Sequence, residues 1–166
     1  MKNFRLPLSC HLFLALGVAA LLAQGVPEAN AADSFKASVA ISEVIHQIGA
    51  APCFLVGDIS GTWQATQLGK VTVVSSDCIN PLSPTMTLFS FASNQLVFTS
   101  ANGDQIFAMY SGTLTTEGGV GVITGGYQIA GGTGRYSQAT GAGSVQGLED
   151  MSTGKGLVQL TGTLSY

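Results

Sequence analysis

The glycine-rich segment ITGGYQIAGGTGRYSQATGAGSVQG (residues 123–147) decides the fold, because it also keeps aromatic and β-branched side chains. A phosphate-binding loop of the G-x-x-x-x-G-K-[ST] type needs a lysine, and a dinucleotide-binding loop needs a strand followed by a helix. The segment fits neither pattern, and a disordered linker would lack its apolar residues. We therefore expect a pair of tight turns around a short strand, with glycines where φ is positive or another strand comes close.

Strand-forming segments lie on both sides of this stretch and are rich in Val, Ile, Thr, Phe and Tyr. They occupy residues 70–75, 85–91, 94–100, 105–115, 121–130 and 157–165. Asn102-Gly103, between the third and fourth of them, predicts a tight hairpin turn. Many short strands without a helix to cover a sheet bury their apolar side chains in a sandwich or a closed barrel. The chain is therefore predicted to be all-β.

The segment ASVAISEVIHQIG (residues 37–49) is compatible with two structures. Ile41, Val44, Ile45 and Ile48 recur at the spacing of a helix face, yet the same segment also alternates as a strand does. Periodicity leaves both open. We favour a strand, because the edge strands of the rest of the chain need partners.

The first 31 residues have the three parts of a secretory signal peptide. Lys2 and Arg5 precede an apolar run at residues 12–23, and Ala29-Asn30-Ala31 is a small-x-small cleavage site. The run is shorter than the roughly 20 residues that a membrane-spanning helix needs. We expect an exported protein, periplasmic or secreted, with a single β-barrel domain at residues 32–166 and no membrane attachment after cleavage.

The charge and the cysteine content limit the partners and ligands that the chain is expected to bind. Six Lys and Arg residues against nine Asp and Glu residues give a net charge of −3, so a nucleic-acid partner is not expected. Cys53 and Cys78 are predicted to form a disulfide, the alternative being two buried thiols. These cysteines and His46 lack zinc-site spacing, and we expect neither a metal nor a cofactor.

Three segments together resemble bacterial exported proteins that carry an allene oxide cyclase barrel-like domain. They are ATQLGKVTV (residues 65–73), TSANGDQIFAMYSG (residues 99–112) and GGTGRYSQATGAG (residues 131–143). Plant allene oxide cyclases and dirigent proteins have a similar G-G-[ST]-G-x-[FY] turn. The resemblance extends over about residues 43–166 and implies a closed antiparallel eight-stranded barrel of calycin-like shape.

The same resemblance draws attention to Glu43. In plant allene oxide cyclases an E-x-N-x(5)-S-P segment supplies a glutamate that, with a water, guides ring closure of a fatty-acid epoxide. Glu43 likewise lies nine residues before Pro52, but Ile45 and Ala51 replace the asparagine and the serine. Plant-type cyclase activity is therefore not expected. A Glu43 that faces the interior would have a raised pKa and serve as an acid or base; otherwise it faces solvent or pairs with a neighbour.

The candidate ligand-binding residues are a mixed set. Arg135 could clamp a carboxylate or phosphate, or form an ion pair with a carboxylate such as Asp104. The three tyrosines among the candidates could line a pocket or belong to the core, and Asp58 belongs to a Gly-Asp pair similar to one in the plant enzymes. His46 has no evident nucleophile partner. The full candidate set is Pro52, Asp58, Tyr110, Tyr127, Arg135 and Tyr136.

Three functions remain open at this point. The favoured one is binding of a small apolar ligand inside the barrel. The second is a cyclase or isomerase that uses the same cavity, and the third is a structural or interaction protein with a filled barrel. Residues 105–112 (QIFAMYSG) are apolar on both alternating faces, which predicts that another copy of the chain or the N-terminal segment covers one face.

Overall fold

The barrel consists of eight strands and is described by a computed structural model over residues 33–65 and 68–166. The strands are β1 (Asp33–Ala50), β2 (Cys53–Ala65), β3 (Gly69–Pro81), β4 (Leu88–Ser100), β5 (Gln105–Glu117), β6 (Val120–Gly132), β7 (Gly141–Asp150) and β8 (Lys155–Leu164). Each pairs antiparallel with the next, and β8 pairs with β1. The prediction of an all-β, closed, antiparallel eight-stranded barrel is confirmed. The predicted signal peptide, residues 1–31, lies outside the described residues.

The segment at residues 37–49 lies within β1, so the strand interpretation is confirmed and the helix alternative is wrong. Phe35, Ala37 and Val39 alternate into the interior and are buried. The strand is paired on both sides: Val39 lies opposite Trp63 of β2 and Val158 of β8. Closure of the sheet supplies the partners that the sequence argument requires.

The glycine-rich segment at residues 123–147 contains one connection between strands, not the two predicted tight turns. Gly125 lies inside β6, where a Cβ atom would overlap the backbone carbonyl of Ser111 on β5. This glycine therefore serves close packing within the barrel wall. After β6 the chain makes a 3₁₀ helix, Gly134–Tyr136, before β7. The predicted hairpin between β4 and β5 is confirmed, with Gly103 at φ +89°.

One half of the barrel interior is filled by aromatic side chains and is called the packed half. The ring centroid of Trp63 lies 5.5 Å from that of Phe35 and 5.0 Å from that of Phe98. Tyr127 joins this cluster, and the fully buried Tyr136 of the 3₁₀ helix belongs to the same core. The chain buries large rings here, where the interior of an eight-stranded barrel is just wide enough to be filled by side chains.

The opposite half of the interior, called the hollow half, is lined by Ile41, Glu43, Asp77, Leu114 and Glu149. It lies towards the hairpins that join β1 to β2 and β7 to β8. The β7–β8 turn is anchored there, since the Glu43 N–H donates to the Gly154 carbonyl at 2.7 Å.

The predicted disulfide between Cys53 and Cys78 is confirmed, and the free-thiol alternative is wrong. The two Cα atoms lie 5.1 Å apart, and the residues are separated by 25 positions. The bridge joins the beginning of β2 to β3, directly after Asp77. It therefore ties together two strands of the hollow half.

The outer surface of β5 is apolar, as residues 105–112 predict. Ile106 and Ala108 are buried inside, and Phe107 and Met109 point outward with 38% and 42% of their surface exposed. Coverage of this face by another copy or by the N-terminal segment stays a prediction. Within residues 33–65 and 68–166 there is no helix of the length and hydropathy that a membrane span requires.

Candidate functional site

The hollow half contains a cavity of about 80 Å³. By the same measure of volume a single water molecule needs roughly 10–15 Å³, so the cavity can hold a small organic molecule. Its polar lining consists of Glu43, Ser75, Asp77, Tyr110 and Glu149. The rest of the wall is aliphatic or aromatic: Val39, Ile41, Ile59, Val73, Ile79, Phe91, Leu96, Phe98, Leu114, Ile123, Val145, Val158 and Leu160.

Three carboxyl groups from three strands converge on this cavity. Strand alternation directs Glu43 of β1, Asp77 of β3 and Glu149 of β7 inward, each in phase with apolar neighbours. Asp77 and Glu149 are only 5% and 4% exposed, and Glu43 is half-buried. Among the described residues, no lysine, arginine or histidine lines the cavity. The acidic groups therefore lack a basic counterpart in the wall.

Glycines on the two strands beside β1 make room for the Glu43 carboxyl. A Cβ atom at Gly57 of β2 would overlap Glu43 Oε1, and Gly57 pairs with Asp77 on β3. On the other side, Gly156 of β8 lies opposite both Ile41 and Glu149. Because neither glycine places a side chain in the wall, the Glu43 side chain can lie close to the carboxyl of Asp77 on one side and that of Glu149 on the other.

Glu43 and Glu149 share a hydrogen bond between their carboxyl groups. Burial raises the pKa of Glu43 to about 8, and the charge of Glu149, the shared hydrogen bond and the charge of Asp77 act in the same direction. Burial also raises the pKa of Glu149, but the hydrogen bond from Glu43 opposes that shift. At neutral pH the pair therefore retains a proton, which the two carboxyl groups share.

Asp77 is the centre of a second hydrogen-bonded group. The Tyr110 hydroxyl donates to Asp77 Oδ1 and lies 2.9 Å from Ser75 Oγ, which is in turn 2.9 Å from Ser93 Oγ. Burial raises the pKa of Asp77 to about 7; the charge of Glu149 adds to this, and a hydrogen bond from Ser75 opposes it. A second carboxyl in the same cavity thus titrates near neutral pH.

Two of the residues singled out from the sequence lie at this cavity. Glu43 faces the interior, with a raised pKa as expected for that orientation, and its hydrogen-bonded neighbour is Glu149. Tyr110 lines the same wall opposite Asp77. The structure brings these two candidates together, and their roles in catalysis or ligand binding stay predictions.

Pro52 and Asp58 lie outside the cavity. Pro52 is exposed in the β1–β2 turn, where its carbonyl accepts a hydrogen bond from Asn80 Nδ2 at 3.2 Å. Asp58 faces solvent because alternation turns Gly57 inward, and it forms an ion pair with His46 at 3.1 Å on the outer surface. Neither residue lines the cavity, and a ligand-binding role for them stays a prediction.

The remaining candidates, Tyr127, Arg135 and Tyr136, belong to the packed end of the barrel. Tyr127 packs against Phe35, and Tyr136 is fully buried, so both are core residues. The Arg135 guanidinium lies 4.6 Å from the centroid of the Tyr136 ring and donates to its hydroxyl. None of these three residues lines the cavity, and a ligand-binding role for them stays a prediction.

The expected ion pair between Arg135 and Asp104 is also wrong. Only the backbone N–H of Arg135 donates to Asp104, at 3.5 Å. The Asp104 carboxylate instead accepts a hydrogen bond from Asn102 Nδ2 at 2.8 Å, inside the β4–β5 turn. The guanidinium stacks on the rings of Tyr136 and Tyr166.

Asp77 and Glu149 are not among the site residues predicted from the sequence. Both carried a readable signal: Asp77 continues the inward phase of Val71, Val73 and Ser75, and Glu149 follows Val145 at a spacing of four. A carboxyl in phase with buried apolar residues on a strand is a candidate interior acid, because isolated buried charges are costly. No trio of His, Cys, Asp and Glu side chains in the described part of the chain has metal-binding geometry.

The fold and the cavity define this chain as a closed antiparallel barrel with an acid-bearing apolar interior. No protein-family model matches the chain, and no curated protein has significant sequence similarity to it.

Proposed function

We propose that this chain is an exported β-barrel that binds a small, predominantly apolar molecule in its hollow half. The supporting observation is the cavity itself, whose wall is mostly aliphatic and aromatic with a few convergent polar groups. Ligand sites in proteins commonly have this composition, in which apolar surface supplies affinity and polar groups fix orientation.

Relation to the allene oxide cyclase barrel-like proteins is part of the proposal. It is supported by the three sequence segments and by the consecutive order of eight antiparallel strands. Export is supported by the signal-peptide pattern of residues 1–31 and by the Cys53–Cys78 disulfide, which suits an oxidising compartment. A filled structural barrel has less support, because a cavity of about 80 Å³ remains beside the second apolar cluster of the interior, which contains Ile79, Phe89, Phe91 and Leu114.

The proposal is tested in two stages with the protein purified from an exporting host. Native mass spectrometry first detects any small molecule that co-purifies. Titration with cyclohexylmethanol, a neutral apolar probe, is then followed through the methyl NMR signals of the cavity residues Ile41, Leu114 and Val158. We expect saturable shifts that are concentrated at these residues.

A matched pair of variants separates the cavity from the outer wall. Val158→Phe places a ring in the cavity and is expected to weaken probe binding at least tenfold. Val122→Phe makes the same change on the outward face of β6, where Val122 is 45% exposed, and leaves binding unchanged. If a folded protein shows neither a co-purified molecule nor saturable binding of the probe, the proposed function is refuted.

A second function, proton-transfer catalysis of the cyclase or isomerase type, is favoured by one observation. Glu43 and Asp77 have pKa values raised to about 8 and about 7 beside an apolar space. Groups that titrate near the working pH are effective general acids and bases. The plant-type arrangement has no support, because Ile45, in place of the family's asparagine, is 44% exposed.

Proton transfer is tested by exchange in D₂O of the α-hydrogens of cyclohexanone. A carboxylate removes a proton from the carbon beside the carbonyl, and the carbon then receives a deuteron from the exchanged carboxyl group. Exchange that is abolished in Glu43→Gln and Asp77→Asn, and retained in Glu117→Gln on the exposed end of β5, supports catalysis. Exchange no faster than in buffer removes the support for this reaction class with this probe.

A further inference from the structure

We infer that the ligand of the hollow half carries a basic nitrogen, which is held as an ammonium ion against Glu149, with Glu43 and Asp77 around it. The inference rests on the proposed function, since it concerns the chemistry of the molecule that the cavity binds. The expected ligand class is a small primary or secondary amine with a compact apolar body.

Hydrogen-bond acceptors outnumber free donors in the cavity. The proton of the Glu43–Glu149 pair is shared between the two carboxyls, and the Tyr110 hydroxyl is directed to Asp77. The Ser75 hydroxyl is engaged within the same group. The donors are thus already used, but three carboxyl groups still offer unused lone pairs. A ligand that completes these hydrogen bonds must bring N–H or O–H donors, which a ketone or an ether lacks.

Glu149 is only 4% exposed. The one hydrogen-bonding partner that acts on its pKa is the Glu43 carboxyl, so no basic group neutralises its charge. A buried carboxylate without a counter-ion is strongly disfavoured. The folded barrel has already desolvated this group, and an entering ammonium ion therefore gains the full attraction of a low-dielectric environment.

Among the described residues, no cation in the cavity wall competes with the ligand. Facing the carboxyl pair are Asp77 from β3 and Tyr110 from β5, and the other cavity-lining residues of β2, β4, β6 and β8 are not titratable. The basic residues nearest to the pair in sequence, His46 and Lys155, are both exposed. The cavity is therefore a negative, apolar space that complements an amine bearing a hydrocarbon ring or chain.

The test compares three probes on the intact protein: cyclohexylmethylamine, the isosteric alcohol cyclohexylmethanol, and methylammonium without an apolar body. Binding is measured by titration calorimetry in two buffers of different ionisation enthalpy, so that proton release is seen directly. We expect the amine to bind at least tenfold more tightly than the alcohol at about pH 7.5, to release protons, and methylammonium not to bind measurably.

The pH dependence has a definite sign. Between about pH 5.5 and about pH 8.5 Asp77 and Glu43, with pKa values of about 7 and about 8, lose protons while the amine stays cationic, so amine affinity rises. The affinity of the alcohol does not rise over the same range, because it gains nothing from the ionised carboxyls. A neutral ligand that accepts hydrogen bonds from protonated acids would show the opposite trend.

Two cavity variants and one outer variant assign the effect. Glu149→Gln and Glu43→Gln are each expected to reduce the preference for the amine at least fivefold, and either variant suffices if the other fails to fold. Glu117→Gln makes the same chemical change on the outside and leaves the preference intact. Equal affinity for amine and alcohol, or a preference that persists in the cavity variants, would overturn the inference while leaving the proposed function in place. Absence of binding by every probe would instead refute the proposed function.

Discussion

The two halves of the barrel interior are built from the same alternating strands but are filled in opposite ways. In the packed half, the rings of Phe35, Trp63 and Phe98 meet at centroid distances of 5.0–5.5 Å. In the hollow half, Glu43 and Glu149 occupy inward positions around open space. The packed half supplies apolar burial, and the hollow half carries groups whose desolvation opposes folding. The stabilising apolar core thus lies at one end of the barrel, and the proposed binding site lies at the other.

The largest expected effect comes from breaking the packed half at Trp63, which is 3% exposed. Trp63→Ala leaves a cavity between Phe35 and Phe98 and is expected to lower the free energy of unfolding by about 3–5 kcal/mol. Guanidinium denaturation followed by circular dichroism measures this, since the chain has one tryptophan and loses its fluorescence probe.

Trp63→Phe is the control for this change. It keeps a ring and removes the indole N–H, which has no hydrogen-bond partner in its buried position. We expect this variant to cost less than about 2 kcal/mol. A similar loss for the two variants would show that ring packing is not what makes the aromatic half stable.

The disulfide is the device that supports the hollow half. Replacement of Cys53 and Cys78 by alanine releases a constraint across 25 positions and is expected to cost roughly 3 kcal/mol. Because the bridge follows Asp77 directly, we also expect weaker probe binding in the cavity. The comparison of oxidised wild type with the double variant, in unfolding and in probe titration, measures both; a loss below about 1 kcal/mol would contradict the assignment.

The buried carboxyls of the hollow half make the free energy of unfolding depend on pH. The pKa of Glu43 is about 8 in the folded barrel against an ordinary value of 4.5, and that of Asp77 is about 7 against 3.8. The folded state therefore binds more protons than the unfolded state between these values, so stability falls as pH rises from about 4 to about 8. We expect a Tm at least about 3 °C lower at pH 8 than at pH 5.

Glu43→Gln isolates the contribution of Glu43 to this dependence. The amide keeps the shape and cannot ionise, so the variant should be more stable than wild type at pH 8 and differ little from it at pH 5. Thermal unfolding of both proteins across this pH range measures the difference. If the thermal stability of the variant depended on pH as strongly as that of wild type, burial would not be what raises the pKa of the Glu43 carboxyl.

The sequence predicts the barrel better than it predicts the cavity, for a physical reason. The alternation of apolar residues and the turn at Asn102-Gly103 depend on neighbours along the chain, and the disulfide depends on the compartment. These features can therefore be predicted from short segments of the sequence. The meeting of Glu43 with Glu149 depends on closure of the barrel through β8 and on the absence of a side chain at Gly156. Arg135 shows the same limit, because its ring partner Tyr166 lies at the far end of the described chain.

A smaller effect on stability is expected where glycine opens the wall of the hollow half. Gly57→Ala places a methyl group on the Glu43 carboxyl, which is the free end of a flexible side chain and can move. We expect a loss below about 1 kcal/mol in unfolding but a several-fold loss of amine affinity. Gly126→Ala, where the nearest atom to the new methyl is the Gly143 carbonyl oxygen at 3.3 Å, is the control and should change neither. Unchanged amine binding in Gly57→Ala would argue against the position of Glu43.

The smallest effect is expected on the outer wall, at the ion pair between His46 and Asp58. The two side chains are 55% and 56% exposed, and water screens their interaction. Asp58→Asn should therefore change the free energy of unfolding by less than about 0.5 kcal/mol and leave probe binding in the cavity unchanged. Asp58 is one position along the strand from Gly57, so the two substitutions differ mainly in which face of β2 they alter. If Asp58→Asn weakened probe binding as Gly57→Ala does, the inward and outward faces of this strand would not be separated as described, and the carboxyl cluster would extend to the barrel exterior.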